Sequence, residues 1–560
     1  MTAAGAASPA PAPAPAPGDE IAWLGIRRRG WVFAVALSSI VLAELTFTAL
    51  LFSSVFVLQG IDTDVYGYQI ATAPYIVCLV ILALLSVRFA QRWGSRRTYM
   101  VGAVITGIGC LVAASASSLA LMVVGRLLLS AKALVLAVTL SQLWLVAPRR
   151  KGFAMALYCA GMYGGLFGGM ALGGFLQFQA PWRSVYAVSG VLFLMLAVAG
   201  RRALIADRPA QPPPFVLNVA EVAWLSTAIA SAVFLIFRGP YFGWLDSNLV
   251  AGAAVLCALS TVAFILTSLR EPDPLVNLRL AHFPTLALTL TTIGIFSAAV
   301  IGMLNTLPAY LALRGYPSEV EGAILLGPGL LIAAGCVATG FVFGRATCIL
   351  LMWAGLATNL GANLWFIGAD LYTSKATLIA MLGLWALGAG LALPIALRLT
   401  FAGQTAAAVQ RLAGAKVALR FAATLIGAFA ASLVIQRATD GAFDHLRQGI
   451  TADNIAYRQT VARIAEHVAT RGSGPALAQE QAGAVVGEWV SRNAQLMGMQ
   501  AGRRYVALLA GLALLAALCI RFRAEVSILA EDEHSFDLFA RRELRRVEGE
   551  TLPTGRAAAS

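Results

Sequence analysis

The stretch "WVFAVALSSIVLAELTFTALLFSSVFVL", residues 31 to 58, decides the class of the fold. About 20 mostly apolar residues let a helix cross the hydrocarbon core of a membrane, and this run exceeds that length. A single carboxylate, Glu44, lies near its middle. An isolated charge at that depth costs at least about 2.5 kcal/mol, so Glu44 is predicted to have either a partner or a function.

The rest of the chain repeats this apolar pattern. Its 560 residues are 59% hydrophobic and 12% charged, whereas soluble domains carry about 25% charged residues. A pass along the sequence finds about fourteen apolar windows long enough to span a membrane. The sequence therefore predicts an all-α polytopic membrane protein with fourteen transmembrane helices.

Residues that could form a catalytic or metal site are sparse. The seven cysteines show no CxxC spacing, and the four histidines are scattered along the chain. An enzyme would need acids, bases or metal ligands at one depth, which this distribution does not provide. We therefore expect no enzymatic activity, no metal site, no disulfide framework and no cofactor.

The basic residues collect in alternate connections between the apolar windows. Examples are "RFAQRWGSRR" at 88 to 97 and "PRRKG" at 148 to 152. Short loops rich in Lys and Arg stay on the cytoplasmic side, so both termini are predicted to be cytoplasmic. The net charge of +14 then reflects topology, and its scatter predicts no nucleic-acid partner.

Three segments fall outside the apolar windows. Residues 1–29 form an Ala/Pro-rich stretch, predicted to be a disordered cytoplasmic tail, and 523–560 a second cytoplasmic tail. Residues 436–502 contain two stretches with apolar residues at helical spacing. The topology places this segment on the exported side, where it is either an amphipathic cap over the helix ends or a docking surface.

The loop "QRWGSRRTYMVG", residues 91 to 102, lies between the second and third windows. Gly94 permits a tight turn. Arg92, Arg96 and Arg97 can pair with acidic groups or helix C-termini of neighbouring spans and latch one conformation.

The fifth window, "GMYGGLFGGMALGGF" at 161 to 175, carries glycines four residues apart. Small residues at this spacing form a stripe that lets another helix approach closely. The stripe consists of Gly161, Gly165, Gly169 and Gly173, with Gly174 beside it.

Together these features resemble the major facilitator superfamily. The loop matches its signature at Arg92, Gly94 and Arg96, and the fifth window resembles the glycine motif of the exporter branch at Gly169, Gly173 and Gly174. Trp182 and Arg183, which open the sixth window, are also typical of exporters, and Arg420 matches the arginine that opens the thirteenth. With about fourteen windows, the chain resembles the fourteen-helix drug:proton antiporters, the EmrB-like and QacA-like group.

The resemblance implies two six-helix bundles related by pseudo-symmetry around a cavity that opens alternately to either side. The bundles would occupy 30–203 and 281–522, with a linker and two additional transmembrane helices in 204–280. Several positions depart from the family pattern. In the loop, Val87 stands at the leading glycine and Gln91 at the aspartate, and in the fifth window Met170 replaces the proline. In the fourth window, Leu129 and Ser130 occupy the Gln and Gly positions, and Lys132 stands where a second glycine is usual. Because of these departures, the resemblance does not by itself imply the family's usual route of proton coupling.

The expected function is export of amphipathic organic compounds across the bacterial inner membrane, by alternating access and proton antiport, with the proton gradient as energy source. The alternatives are transport of an anionic metabolite by means of Lys132, and a transport-impaired sensor or scaffold. The expected partners are membrane lipid, a small organic substrate, and a periplasmic adaptor with an outer-membrane channel that dock through 436–502.

The predicted proton and substrate site consists of polar groups on windows that border the cavity in this fold. At about 1.5 Å per residue, Glu44 and Lys132 share a depth near the midplane, so a mutual ion pair or shared proton is predicted. Arg126 matches the family's buried arginine, and Asn305 can donate and accept hydrogen bonds.

Overall fold

In a computed structural model, the described residues form a bundle of long helices. They are residues 26–52, 54–146, 151–179, 181–205, 217–239, 241–271, 273–276, 284–341, 348–401, 406–451, 453–470 and 474–520. Fourteen stretches of these helices are long and apolar enough to cross a membrane. The predicted all-α architecture with fourteen spans is confirmed.

The first eight helices supply the first six spans. They are α1 (Ile26–Phe52), α2 (Ser54–Gly60), α3 (Val65–Trp93), α4 (Ser95–Ala114), α5 (Leu119–Leu129), α6 (Lys132–Val146), α7 (Lys151–Gln179) and α8 (Trp182–Ala203). The helix α1 begins inside the predicted tail 1–29; the rest of that tail, residues 1–25, and the tail 523–560 lie outside the described residues.

The remaining helices supply eight spans and a projecting segment. They are α9 (Val219–Arg238), α10 (Asn248–Arg270), α11 (Pro284–Leu313), α12 (Ser318–Gly340), α13 (Cys348–Ile367), α14 (Lys375–Phe401), α15 (Ala406–Thr424), α16 (Ala430–Arg447), α17 (Ile455–Ala469) and α18 (Pro475–Leu518). A short π-helical turn, Leu425–Phe429, joins α15 to α16.

The helices pack as two groups. The N-terminal group consists of α1 to α8, and the C-terminal group of α11 to α18. In the N-terminal group, α1 packs against α6, α7 and α8, and α4 packs against α5 and α8. In the C-terminal group, α18 packs against α11 and α13, and α14 packs against α12 and α13. The helices α9 and α10 pack on each other, and α9 also touches α3. Only 28% and 17% of their spans are buried, so most of their apolar surface faces outward, as suits contact with lipid.

The two groups meet along two seams. In one, α7 packs against α12 and α14; in the other, α15 packs against α3 and α6. We call the membrane face where α3 ends and α4 begins the basic face, since it carries Arg92, Arg96 and Arg97. At the basic face, the Trp144 ring packs at a tilt against Phe401, with 5.4 Å between the ring centres, and the Gln410 amide donates to Ser95 Oγ across 3.2 Å. The groups are therefore closed against each other at this face.

The fourth span is broken at its centre. Between α5 and α6 the backbone N–H groups of Ala131 and Leu134 bond three residues back, to the carbonyls of Leu128 and Ala131. Ser130 Oγ also donates to the Leu127 carbonyl across 2.5 Å. Hydroxyl and three-residue bonds of this kind compete with the regular helix ladder, so Lys132 begins α6 and does not lie within a continuous helix.

Segment 436–502 projects from the face opposite the basic one. It contains the end of α16, all of α17 and the first part of α18. The 44-residue α18 is far longer than a membrane crossing, and both α16 and α17 pack against it. We call this projection the cap; its two predicted amphipathic stretches are α17 and the outer part of α18.

Candidate substrate and coupling site

A buried ion pair joins the two groups of helices at the centre of the molecule. The two terminal guanidinium nitrogens of Arg420 on α15, Nη1 and Nη2, donate to the two carboxylate oxygens of Glu44 on α1. Glu44 is 1% exposed and Arg420 is 5% exposed. Paired, two-bond contact of this kind is the strongest arrangement of these charges and satisfies the buried carboxylate.

The predicted ion pair between Glu44 and Lys132 is wrong. The Lys132 ammonium lies 3.4 Å from the Ala43 carbonyl, and 4.7 Å and 5.5 Å from the ring centres of Phe47 and Tyr75. It stays among N-terminal helices, because it begins α6 beside α1. Arg420 reaches Glu44 from the facing group and offers a planar fork that matches a carboxylate better than an ammonium does. The shared depth was correctly inferred, but not the partner.

A cavity lies immediately beyond the ion pair on the side of the opposite face. Thr48 and Thr424, each one turn beyond a member of the pair, line it. Its free volume is about 100 Å³, whereas sites for drug-sized ligands measure about 300–1,000 Å³. The other lining residues are mostly apolar: Phe47, Thr72, Tyr75, Ile76, Arg126, Leu129, Leu166, Met170, Ile301, Leu304, Asn305, Ala428 and Phe429.

Two predicted site residues, Arg126 and Asn305, both line this cavity. Arg126 donates to Thr72 Oγ1 across 2.5 Å, and Asn305 donates to Ser432 Oγ across 2.8 Å. The structure therefore brings Glu44, Arg126 and Asn305 to one region, with Lys132 behind its aromatic wall of Phe47 and Tyr75.

Lys416 is a buried cation that the sequence analysis did not select. It lies on α15 one turn nearer the basic face than Arg420 and is 3% exposed. Its ammonium is 3.2 Å from Tyr158 Oη, 3.7 Å from Met162 Sδ and 4.3 Å from the centre of the Tyr158 ring, all on α7. The signal was available in "AGAKVALRF", where Lys416 and Arg420 stand four residues apart on one helical face.

The loop between α3 and α4 makes the predicted turn. Gly94 has φ 84°, which favours glycine, and caps α4 with its carbonyl accepting from Thr98. Within the described residues, Arg96 and Arg97 form no ion pair. The pairs at the basic face involve Asp273, in the linker after α10, which binds Arg88 on α3 and lies 3.5 Å from Arg411 on α15.

Asp273 is held in place by the inserted helices. Glu221, at the start of α9, accepts from the Leu275 backbone N–H across 2.8 Å and from the Ser268 hydroxyl. Asn218 donates to Glu271 across 2.7 Å. The linker thus offers one carboxylate to both groups of helices, while Gln91 leaves the loop without an aspartate of its own.

The glycine stripe lets α7 approach α1. A Cβ on Gly165 would lie 2.6 Å from the Val41 carbonyl, and one on Gly169 would overlap Thr48 and the Leu45 carbonyl. Gly161 faces the Leu37 side chain, whereas Gly164 and Gly168 have open space. Gly173 and Gly174 are buried farther along the helix. The contact places Glu44 against the glycine face of α7.

Trp182 and Arg183 fasten helix ends at the opposite face. Arg183 donates to the Ala116 carbonyl, just past the end of α4, across 2.9 Å. Its guanidinium also lies 4.5 Å from the centre of the Trp182 ring. A cation at a helix C-terminus is favourable, so this pair secures the N-terminal group away from the cavity.

A family model described as Major Facilitator Superfamily matches residues 30–432. The multidrug resistance protein Stp of Mycobacterium tuberculosis (strain CDC 1551 / Oshkosh) is 26% identical over 340 residues, 58% of this chain and 60% of Stp. The tetracenomycin C resistance and export protein of Streptomyces glaucescens is 25% identical over 330 residues, 57% of this chain and 60% of that protein.

The chain thus spans about 60% of the length of these relatives. Among solved structures, the human organic anion transporter MFSD10 (TETRAN) superposes with a TM-score of 0.55 at 14% identity, covering 87% of this chain and 99% of that one. At this identity the likeness shows the fold alone.

Proposed function

The chain belongs to the major facilitator superfamily, and we propose that it exports amphipathic organic compounds by proton-coupled alternating access. Two relatives at 26% and 25% identity are named for multidrug resistance and for tetracenomycin C export, which supports this direction of transport. The observation that carries the proposal is the Glu44–Arg420 ion pair, because it ties the two groups of helices together directly beneath the mostly apolar cavity.

The pair provides a route for coupling. A proton that enters the cavity and binds Glu44 removes the charge that holds Arg420, and breaking a buried ion pair by removing one charge typically costs about 3–5 kcal/mol. The groups of helices then separate at the basic face, the cavity enlarges towards it, and Glu44 releases its proton there. Substrate binds in the enlarged cavity and leaves from the opposite face once the pair forms again.

The direction of proton movement follows from the positive-inside bias. The basic face would be cytoplasmic, because Arg92, Arg96 and Arg97 lie in its short connection. Protons would therefore enter from outside and leave inside, as an exporter driven by the proton gradient requires. Both termini would lie in the cytoplasm of a bacterial cell, with the chain in its inner membrane.

The experiment is substrate accumulation in cells that express the full chain. Cells with the parent protein should retain less of at least one compound in a panel of amphipathic dyes and drugs than cells with Glu44→Gln. Asp246→Asn, at an exposed carboxylate between α9 and α10 and outside the cap, is the control and should export like the parent. Equal accumulation of every compound in all three strains, with normal membrane insertion, would favour the alternative that the protein is a transport-impaired sensor or scaffold.

We further propose that the cap docks a periplasmic adaptor that leads to an outer-membrane channel. Its α18 exposes Val485, Trp489 and Met497, four or eight residues apart, with exposed fractions of 48%, 57% and 49%. Replacing these three by serine should stop export across the outer membrane while uptake into isolated inner-membrane vesicles continues. Unchanged resistance of whole cells would refute the docking role.

A further inference from the structure

Lys416 occupies an unusual place for a lysine. Its ammonium reaches from α15 to α7 and meets neutral groups there, the Tyr158 hydroxyl and ring and the Met162 sulfur. A charged side chain at membrane depth is expensive and is normally paired. No ion pair involves Lys416 within the described part of the chain, so its burial calls for a role beyond packing.

The charges around Lys416 are unbalanced. Glu44 is the carboxylate near both buried lysines, and it is already bound by Arg420. Lys132, 1% exposed, makes its polar contact with a backbone carbonyl. Among the described residues around this site, one carboxylate therefore faces the cations Arg420, Lys416, Lys132 and Arg126. The deficit of negative charge favours an anionic ligand.

The cavity would grow along these cations. Thr424, which lines it now, is followed at one-turn intervals along the same face of α15 by Arg420 and then Lys416. At about 100 Å³ the cavity is too small for a drug-sized compound. If the two groups of helices separated at the basic face, the cavity would extend along this side of α15, and Lys416 would be released from Tyr158.

We propose that the cargo is an organic anion whose acidic group is held between Arg420 and Lys416 while its apolar body occupies the cavity beside Phe47 and Tyr75. This inference rests on the proposed export function and names the class of its substrate. Arginine can bind a carboxylate, sulfonate or phosphate through two parallel bonds, and a lysine one turn away supplies a second charge.

Loss of the Glu44 contact on opening makes Arg420 available to the cargo. When α15 moves away with the facing group, Glu44 remains on α1 beside Lys132, whose ammonium already lies 3.4 Å from the adjacent Ala43 carbonyl. Arg420 and Lys416 then hold the acidic group of the cargo, while Glu44 stays close to the Lys132 ammonium, so neither anion is left without a nearby cation. On closure Glu44 competes for Arg420 and displaces the anion towards the opposite face.

Binding of two probes with opposite charge tests the inference. Naphthalene-2-sulfonate and N,N,N-trimethyl-2-naphthylammonium share a ring system and carry permanent charges, so solution pH does not alter them. Titration of the full-length protein in zwitterionic lipid nanodiscs should give at least about tenfold tighter binding of the sulfonate, equivalent to about 1.4 kcal/mol. Equal or tighter binding of the ammonium compound would overturn the inference without any variant.

Variants then locate the site. Lys416→Gln should weaken sulfonate binding about tenfold and leave the ammonium compound unaffected, while Lys416→Arg should restore binding. Arg492→Gln removes a cation from an exposed pair of the cap and should bind like the parent. Unchanged sulfonate affinity in Lys416→Gln would overturn the role of Lys416.

The two proposals fail in different ways. If the cells export a cationic dye and the nanodiscs favour the ammonium probe, export stands and the anion inference falls. If no compound is exported but the sulfonate binds through Lys416, the anion site stands and the export function falls.

Discussion

Glu44 and Arg420 show how a buried charge is accommodated by a contact that spans the two halves of the chain. The residues are separated by 376 positions, yet their side chains satisfy each other at the centre of the membrane. Removing one partner leaves the other charge buried without compensation, which typically lowers the free energy of unfolding by about 3–5 kcal/mol. We therefore expect the pair to be sensitive to single substitutions and to tolerate removal of both charges together.

We expect Arg420→Gln to lower the free energy of unfolding by about 3–5 kcal/mol, because Glu44 loses its partner. The double variant Glu44→Gln, Arg420→Gln should recover most of that loss, since no isolated charge remains. Thermal unfolding in detergent measures both. A double variant that is no more stable than Arg420→Gln alone would show that the two side chains do not depend on each other.

The sequence predicted that Glu44 needs a partner, because an apolar surrounding cannot solvate a carboxylate. It did not identify Arg420, which was noted only as a family motif. The shared depth of Glu44 and Lys132 could be predicted, because residues can be counted along each of their two spans. Which residue of the second group reaches that depth depends on how the groups dock, and spacing along the chain carries no information about docking.

The contact between α1 and α7 is the element on which the position of Glu44 depends. Gly165 lies against the Val41 backbone and Glu44 itself, and Gly169 lies against Leu45 and Thr48. Backbone-to-backbone approach of this kind leaves no space for a side chain. The stripe was predicted from its four-residue spacing, but the helix it accepts was known only from the structure.

Adding a methyl group to this contact should separate α1 from α7. We expect Gly169→Ala to cost about 1–3 kcal/mol of stability, the usual range for overpacking, and to impair transport. Gly168→Ala is the control, because a Cβ there meets nothing within 4 Å. Thermal unfolding and substrate accumulation should both distinguish the variants, and equal behaviour would refute the close contact.

The linker after α10 adds a second tie between the groups of helices. Asp273 bridges Arg88 and Arg411 at the basic face, where the sequence analysis had assigned the latch to Arg92, Arg96 and Arg97. The motif located the correct face, but the carboxylate comes from the inserted segment. That the inserted helices contribute to closure was not foreseeable from hydropathy, which identifies spans without their contacts.

Neutralising Asp273 should loosen closure modestly. Because its side chain is 47% exposed, we expect Asp273→Asn to raise the labelling rate of a single cysteine at position 410 about two- to fivefold, in keeping with an exposed pair worth up to about 1 kcal/mol. Position 410 faces Ser95 across the seam. Asp246→Asn, at an exposed carboxylate just before the start of α10, is the control, and an unchanged rate in Asp273→Asn would show that the tie does not bear on closure.

At the scale of the whole molecule, the number of spans and the all-α fold followed from composition and window length. These properties could be predicted because a membrane allows few backbone structures. The break in the fourth span could not, since it rests on local hydrogen bonds of Ser130 and the turn around it. The arrangement of cations around one carboxylate also emerged only when both groups of helices were in place.

The molecule as described is closed at the basic face and has its small cavity on the other side of the Glu44–Arg420 pair. If this pair controls the change between conformations, neutral Glu44 should favour separation at the basic face. Acidic pH protonates carboxylates and should act in the same direction as Glu44→Gln.

The most direct measurement is the distance between spin labels at positions 97 and 350, on exposed residues near the starts of α4 and α13 at the basic face. In lipid nanodiscs, the parent protein should gain a longer-distance population as the pH is lowered, and Glu44→Gln should show that population already at neutral pH. Asp246→Asn should behave like the parent. A distance distribution in Glu44→Gln identical to that of the parent at every pH would contradict the account.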